Sequence, residues 1–136
     1  MSKFFVEYTH RKSGDGFQSH TLYQAINYHY CKRDYAQALD VHKFIRDFDR
    51  FDYEIFDEHG NHAAYFSLTL SEDMHLGKVA SYIALFVVPK YRGNKEIAKL
   101  IKWYSERFAK TFGAKYIAKV KHVSPLKRIE TYKEVK

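Results

Sequence analysis

Residues 77–113 read GKVASYIALFVVPKYRGNKEIAKLIKWYSERFAKTFG, and the rest of the chain is organised around them. From Lys78 to Val88 the stretch is almost continuously apolar, which predicts a central strand covered on both faces. Pro89 ends that run, and a short basic loop with Gly93 follows. Beyond it Ile97, Ile101, Tyr104 and Phe108 recur at helical spacing, widened by Ala98, Leu100 and Phe112. Lys99, Lys102, Glu106, Arg107 and Lys110 take the opposite side, and Gly113 suits a C-cap. A strand, a turn and a helix in this order aim the helix N-terminus past the strand's end. Exposed N–H groups, the helix dipole and Lys90, Arg92 and Lys95 make an anion site there.

Downstream, residues 114–121 (AKYIAKVK) predict a strand with Tyr116, Ala118 and Val120 on one face. A strand–helix–strand unit implies a right-handed crossover and parallel pairing. Pro125 opens a last helix over residues 126–135, with Leu126, Ile129 and Tyr132 or Lys133 inward.

Upstream, residues 3–8 suit a first strand. Leu22, Ala25, Ile26 and His29 mark a helix over 19–30, with Thr21 and Gln24 as a capping box. Ala38, Val41, Ile45 and Phe48 stripe a second helix that starts at Asp34. Residues 51–56 alternate, with Phe51, Tyr53 and Ile55 on one face and Asp52, Glu54 and Phe56 on the other. A turn at 58–61 leads to a strand over 62–70, and 71–77 connects that strand to the central one.

At 136 residues the expectation is a single domain, 1–136, with one apolar core. The chain is 46% hydrophobic and carries 12 Tyr and 11 Phe, too aromatic for disorder. Cys31 is the single cysteine, so no internal disulfide forms, and a reducing, cytoplasmic setting is expected. No apolar run approaches the about 18 residues of a membrane span. The net charge of +7 is uneven: residues 89–136 balance at +10 and residues 1–88 at −3. The basic part calls for an anionic partner, either a phosphate-rich cofactor or a nucleic acid.

The order strand, two helices, three-stranded meander, helix, strand, helix resembles the GCN5-related N-acetyltransferase (GNAT) fold. That fold is α/β, with a mixed, mainly antiparallel twisted sheet flanked by helices (β-α-α-β-β-β-α-β-α). The usual final strand is missing from this reading. The motif lies in residues 86–101, FVVPKYRGNKEIAKLI. A valine, one residue, a proline, two residues and Arg-Gly match the family's acyl-CoA segment. Two and four residues after Gly93, Lys95 and Ile97 stand where the family has glycine or alanine.

The resemblance implies acetyl-CoA as acyl donor and a primary amine as acceptor: a protein lysine, a polyamine or a small molecule. It implies that Phe86, Val87 and Val88 offer backbone groups to the pantetheine arm. The N–H groups of residues 92–97, Arg92, Gly93, Asn94, Lys95, Glu96 and Ile97, would cradle the pyrophosphate. Ala98 would take the small position, and Arg92, Lys95 and Lys99 would supply charge. Tyr132, on the last helix, would protonate the leaving thiolate. The family often has a glutamate on the central strand near Ser81, but this strand has no acid. The candidate bases are therefore Glu54, His62 and His75. The acidic set Asp40, Asp47, Asp49, Asp52, Glu54, Asp57 and Glu58 suits a cationic acceptor.

No metal site is expected, because the eight histidines are scattered and no HExxH helix occurs. The alternative is a non-catalytic binding protein of the same fold. Lys115, Lys119, Lys121, Lys127, Arg128, Lys133 and Lys136, with Tyr116 and Tyr132 between them, would then face nucleic acid or a protein. The exposed end of the sheet offers a homodimer contact.

Overall fold

The computed structural model describes residues 3–12, 49–124 and 126–136. The helices read over 19–30 and from Asp34, and Cys31, lie outside the described residues. Among the described residues six strands form one sheet: β1 (Phe4–Arg11), β2 (Arg50–Asp57), β3 (His62–Asp73), β4 (Gly77–Val87), β5 (Tyr116–Ser124) and β6 (Lys127–Glu134). They lie side by side in chain order. Every neighbouring pair is antiparallel except β4–β5, which is parallel, as the intervening helix α1 (Lys95–Thr111) requires.

The alternation expected for β2 is present and has a different outcome on each face. Tyr53 and Ile55 enter the main core with Phe66, Leu68 and Ala80 from the sheet and Ile97, Phe108 and Ala109 from α1. Tyr53 and Phe66 stack with ring centroids 4.6 Å apart. On the other face Asp52 and Glu54 are buried as well. There Asp52 accepts hydrogen bonds from Arg50 Nε (3.0 Å) and Ser67 Oγ (2.6 Å). Arg50 is only 1% exposed, so its charge is held by a partner rather than by water.

A bulge in β4 shapes the site. Ala84 pairs with Ser67 and Tyr82 with Leu68, so Ile83 is an extra residue on β4. Before the bulge Ala80 and Tyr82 face α1; after it Val87 does, while Ala84, Phe86 and Val88 pack on the opposite face with Tyr65.

The last helix expected over 126–135 is instead β6, so the final strand is present. Ile129, Thr131, Lys133 and Val135 alternate with Arg128, Glu130, Tyr132 and Glu134, a period of two in β-branched company. Its inward positions at helical spacing are too few to bury a stripe, whereas pairing with β5 from Tyr116↔Glu134 to Ser124↔Lys127 satisfies its backbone. A proline serves a turn as readily as a helix start.

Candidate functional site

β4 and β5 pair only over Val79–Ser81 with Tyr116–Ala118. Beyond that β4 runs on to Val87 beside β3 and β5 runs on to Ser124 beside β6, and the two separate. The gap is a cleft of about 610 Å³ between β4, β5 and β6 and under α1. Its floor and walls include Tyr82, Leu85, Ala98, Ile101, Ser105 and Lys119.

Separation leaves β4 with an edge that is unpaired among the described residues. Val88 N–H donates to Ala63 O at 2.8 Å, so the N–H groups of Val88 and, by alternation, Phe86 are turned to β3. Those of Leu85 and Val87 therefore point into the gap. The Val87 carbonyl accepts from Arg92 Nε at 3.0 Å. The Arg92 guanidinium also lies 5.7 Å from the centre of the Phe86 ring, so Arg92 fastens the loop to the end of β4.

At the mouth of the cleft a 3-10 turn, Pro89–Tyr91, delivers the chain to α1. Gly93 adopts φ +83°, where a side chain is strained, and a Cβ there would meet nothing within 4 Å. Asn94 is the N-cap: its Oδ1 accepts from Glu96 N (2.9 Å) and Ile97 N (3.1 Å). Two of the amides expected to cradle phosphate are thus already held by a side chain. Lys95 and Lys99 are exposed beside them. Tyr91 is anchored by its hydroxyl, which donates to Asp57 Oδ2 and holds that carboxylate down at a pKa of about 2.

Inside the cleft, Tyr82 OH donates to Ser105 Oγ at 2.5 Å, and Ser105 donates to Ile101 O at 2.6 Å. Burial raises the Tyr82 pKa above its ordinary value, partly offset by Ser105 and reinforced by Glu106. Sequence reasoning missed this pair. Its signal is Ser105 at the i+4 position after Ile97 and Ile101, a hydroxyl on the buried line of the helix.

The structure does not gather the candidate acids and bases around this cleft. Tyr132 lies on β6 beside Ala118, on the opposite face from Lys133, which reaches toward α1, and is 43% exposed. It is not among the cleft's lining residues. His75 lies in the β3–β4 turn, where its N–H donates to Asp73 Oδ1. That is the far end of β4 from Val87, about 34 Å away along an extended strand.

Glu54 lies in the lateral row Glu7, Glu54, Tyr65, Phe86, two strands from β4 on the face away from α1. Burial, then Asp52 and Glu7, raise its pKa to about 8 against a lowering pull from Arg11. His62 Nε2 is 3.8 Å from its Oε2. Of the acidic set, Asp49 pairs with His10 at 2.6 Å, Asp52 with Arg50, and Asp57 with turn amides and Tyr91. Among the described residues no three His, Cys, Asp or Glu side chains converge as a metal site. No described helix is long and apolar enough to cross a membrane.

By sequence the chain matches no family model and no curated protein. Its fold matches solved acetyltransferases. An acetyl transferase candidate from Pyrococcus furiosus aligns with TM-score 0.65 at 18% identity, over 90% of this chain and 85% of that one. The aminoglycoside acetyltransferase AAC(6')-Iy, bound to a CoA bisubstrate analogue, gives 0.59 at 13%, over 90% and 82%. A GCN5-related N-acetyltransferase from Ralstonia eutropha gives 0.57 at 14%, over 84% and 80%. The chain therefore has the GNAT fold.

Proposed function

We propose that the chain is an acyl-CoA-dependent N-acyltransferase, and the observation that carries the reading is the parting of β4 and β5 beside a helix N-terminus. An extended pantetheine arm fits the open edge of β4, where Leu85 and Val87 N–H groups serve its amides as an added strand would. The pyrophosphate lies toward residues 92–97, with Arg92, Lys95 and Lys99 nearby. It competes there with the Asn94 cap, a contest of about 1 kcal/mol.

The amine of the acceptor attacks the thioester carbonyl directly. A C–N bond forms, the C–S bond breaks, and the amine loses a proton. An oxyanion at that carbonyl is met by an N–H on the open edge of β4. Tyr82 gives the thiolate its proton, because it is in the cleft and a phenol is protonated at neutral pH. This role replaces the one expected for Tyr132, whose place on β6 is outside the lining. The amine's proton passes to water, since Glu54 lies on the face opposite α1 and holds its own proton up to about pH 8.

Calorimetric titration with CoA and acetyl-CoA tests the reading. Binding is expected, and no heat at about 1 mM of either ligand overturns it.

The second reading, a fold-sharing binding protein, is favoured by one observation. β6 is exposed along its whole length and carries Lys127, Arg128 and Lys133. Its outer edge, unpaired among the described residues, suits a second copy of the chain as well as an anionic partner.

A further inference from the structure

The cleft carries positive charge that phosphate binding at the α1 N-terminus does not use. Lys102 from α1, Lys119 from β5 and Arg128 and Lys133 from β6 all line it. Among the described residues Glu106 is the one acid in the lining, 3.9 Å from Lys133 Nζ. The cations crowd one another: Lys102 first, with burial and Lys119 adding, lowers the Lys133 pKa from its ordinary value. All four are solvent-exposed, so their mutual repulsion is modest, and an anion placed among them is favoured.

That anion is not the pyrophosphate. Lys102 lies seven residues along α1 from Lys95, about 10 Å down the axis. At that depth it is near the level of Tyr82 and Ser105, where the acyl end of the donor would lie. The thioester end of a CoA donor has no phosphate, and an acetyl group offers no charge.

We propose that Lys102, Lys119 and Lys133 bind a carboxylate on one of the two reactants, so that the chain transfers or accepts a carboxylate-bearing group. The group is the free carboxylate of a dicarboxylic acyl thioester or that of an amino-acid acceptor. The inference rests on the acyltransferase reading and specifies its substrate class. The bond changes stay the same: C–N forms, C–S breaks, the amine loses a proton and the thiolate gains one. The carboxylate is spectator and anchor.

The test uses calorimetry throughout, at about 50 mM salt so that screening is weak. Acetyl-CoA and succinyl-CoA are titrated into the free protein, and cadaverine and lysine into the CoA complex. Each pair differs chiefly by a carboxylate. One of the two ratios is expected to favour the carboxylate about tenfold, and which one it is names the source. In the Lys102→Ala/Lys119→Ala variant that ratio is expected to collapse toward one. If CoA binds and both ratios are near one, the inference falls and the acyltransferase reading stands. A preference that survives in the double variant also overturns it. If CoA itself does not bind, both fall together.

Discussion

The burial of Glu54 makes a stability prediction that needs no substrate. In the unfolded chain this carboxyl titrates near its ordinary value of 4.5; in the folded chain it titrates near 8, held up by burial and by Asp52 and Glu7. Between those values the unfolded chain has released the proton and the folded chain still holds it. Folding therefore takes up a proton across that window, and stability falls as pH rises through it. Below about pH 4.5 the group costs nothing; above about pH 8 its full cost is present. At about 1.4 kcal/mol per pH unit the total is on the order of 5 kcal/mol, a large share of a small domain's stability. Glu54→Gln keeps the shape and removes the titration. Denaturant unfolding of both proteins at pH 5, 6, 7 and 8 isolates the term, because the other titrating groups are common to both. The variant should gain on the native chain by about 1 kcal/mol for each pH unit between 5 and 7.5. A difference that stays flat across that range would refute the buried, proton-holding Glu54.

Two further outcomes follow from the cleft and its rim. Tyr82→Phe should lower turnover about tenfold or more while the thioester KM stays within about twofold, as expected for loss of a proton donor. Steady-state rates with any accepted amine check this, and an unchanged kcat removes Tyr82 from the chemistry. Asn94→Ala should cost about 1 kcal/mol by thermal or denaturant unfolding, and Asn94→Gly only a few tenths. Equal losses for the two would mean that the Asn94 side chain is not the cap.

The central unit was legible in the sequence because its signals agree. An uncharged apolar run, Pro89, and the 97–101–108 spacing each point to strand, turn and helix, and the structure has them over Gly77–Val87, Pro89–Tyr91 and Lys95–Thr111. The C-terminal segment was not legible, because Leu126, Ile129 and Tyr132 keep a helical spacing while Ile129, Thr131 and Lys133 keep a period of two. Which wins depends on whether β5 offers a free edge, and that is not a local property. The paired hydroxyls of the cleft were hidden for another reason. Tyr82 is one of 12 tyrosines, and only the helix crossing above it pairs it with Ser105. The charge of Glu54 was visible, but its raised pKa depends first on burial and then on Asp52 and Glu7, and all three come from the tertiary fold.

The extra residue at Ile83 has a consequence for how such a cleft can arise. Side-chain parity along β4 changes at that point, so Ala80 and Tyr82 share a face with Val87 rather than with Phe86. One residue's worth of chain thus decides which groups near the strand's end line the core and which face the other way. The sheet on either side keeps its pairing regardless. A ligand groove encoded this way can be gained or lost in a single insertion or deletion, with strand order untouched, so kinship in the fold and kinship in activity can part at one codon.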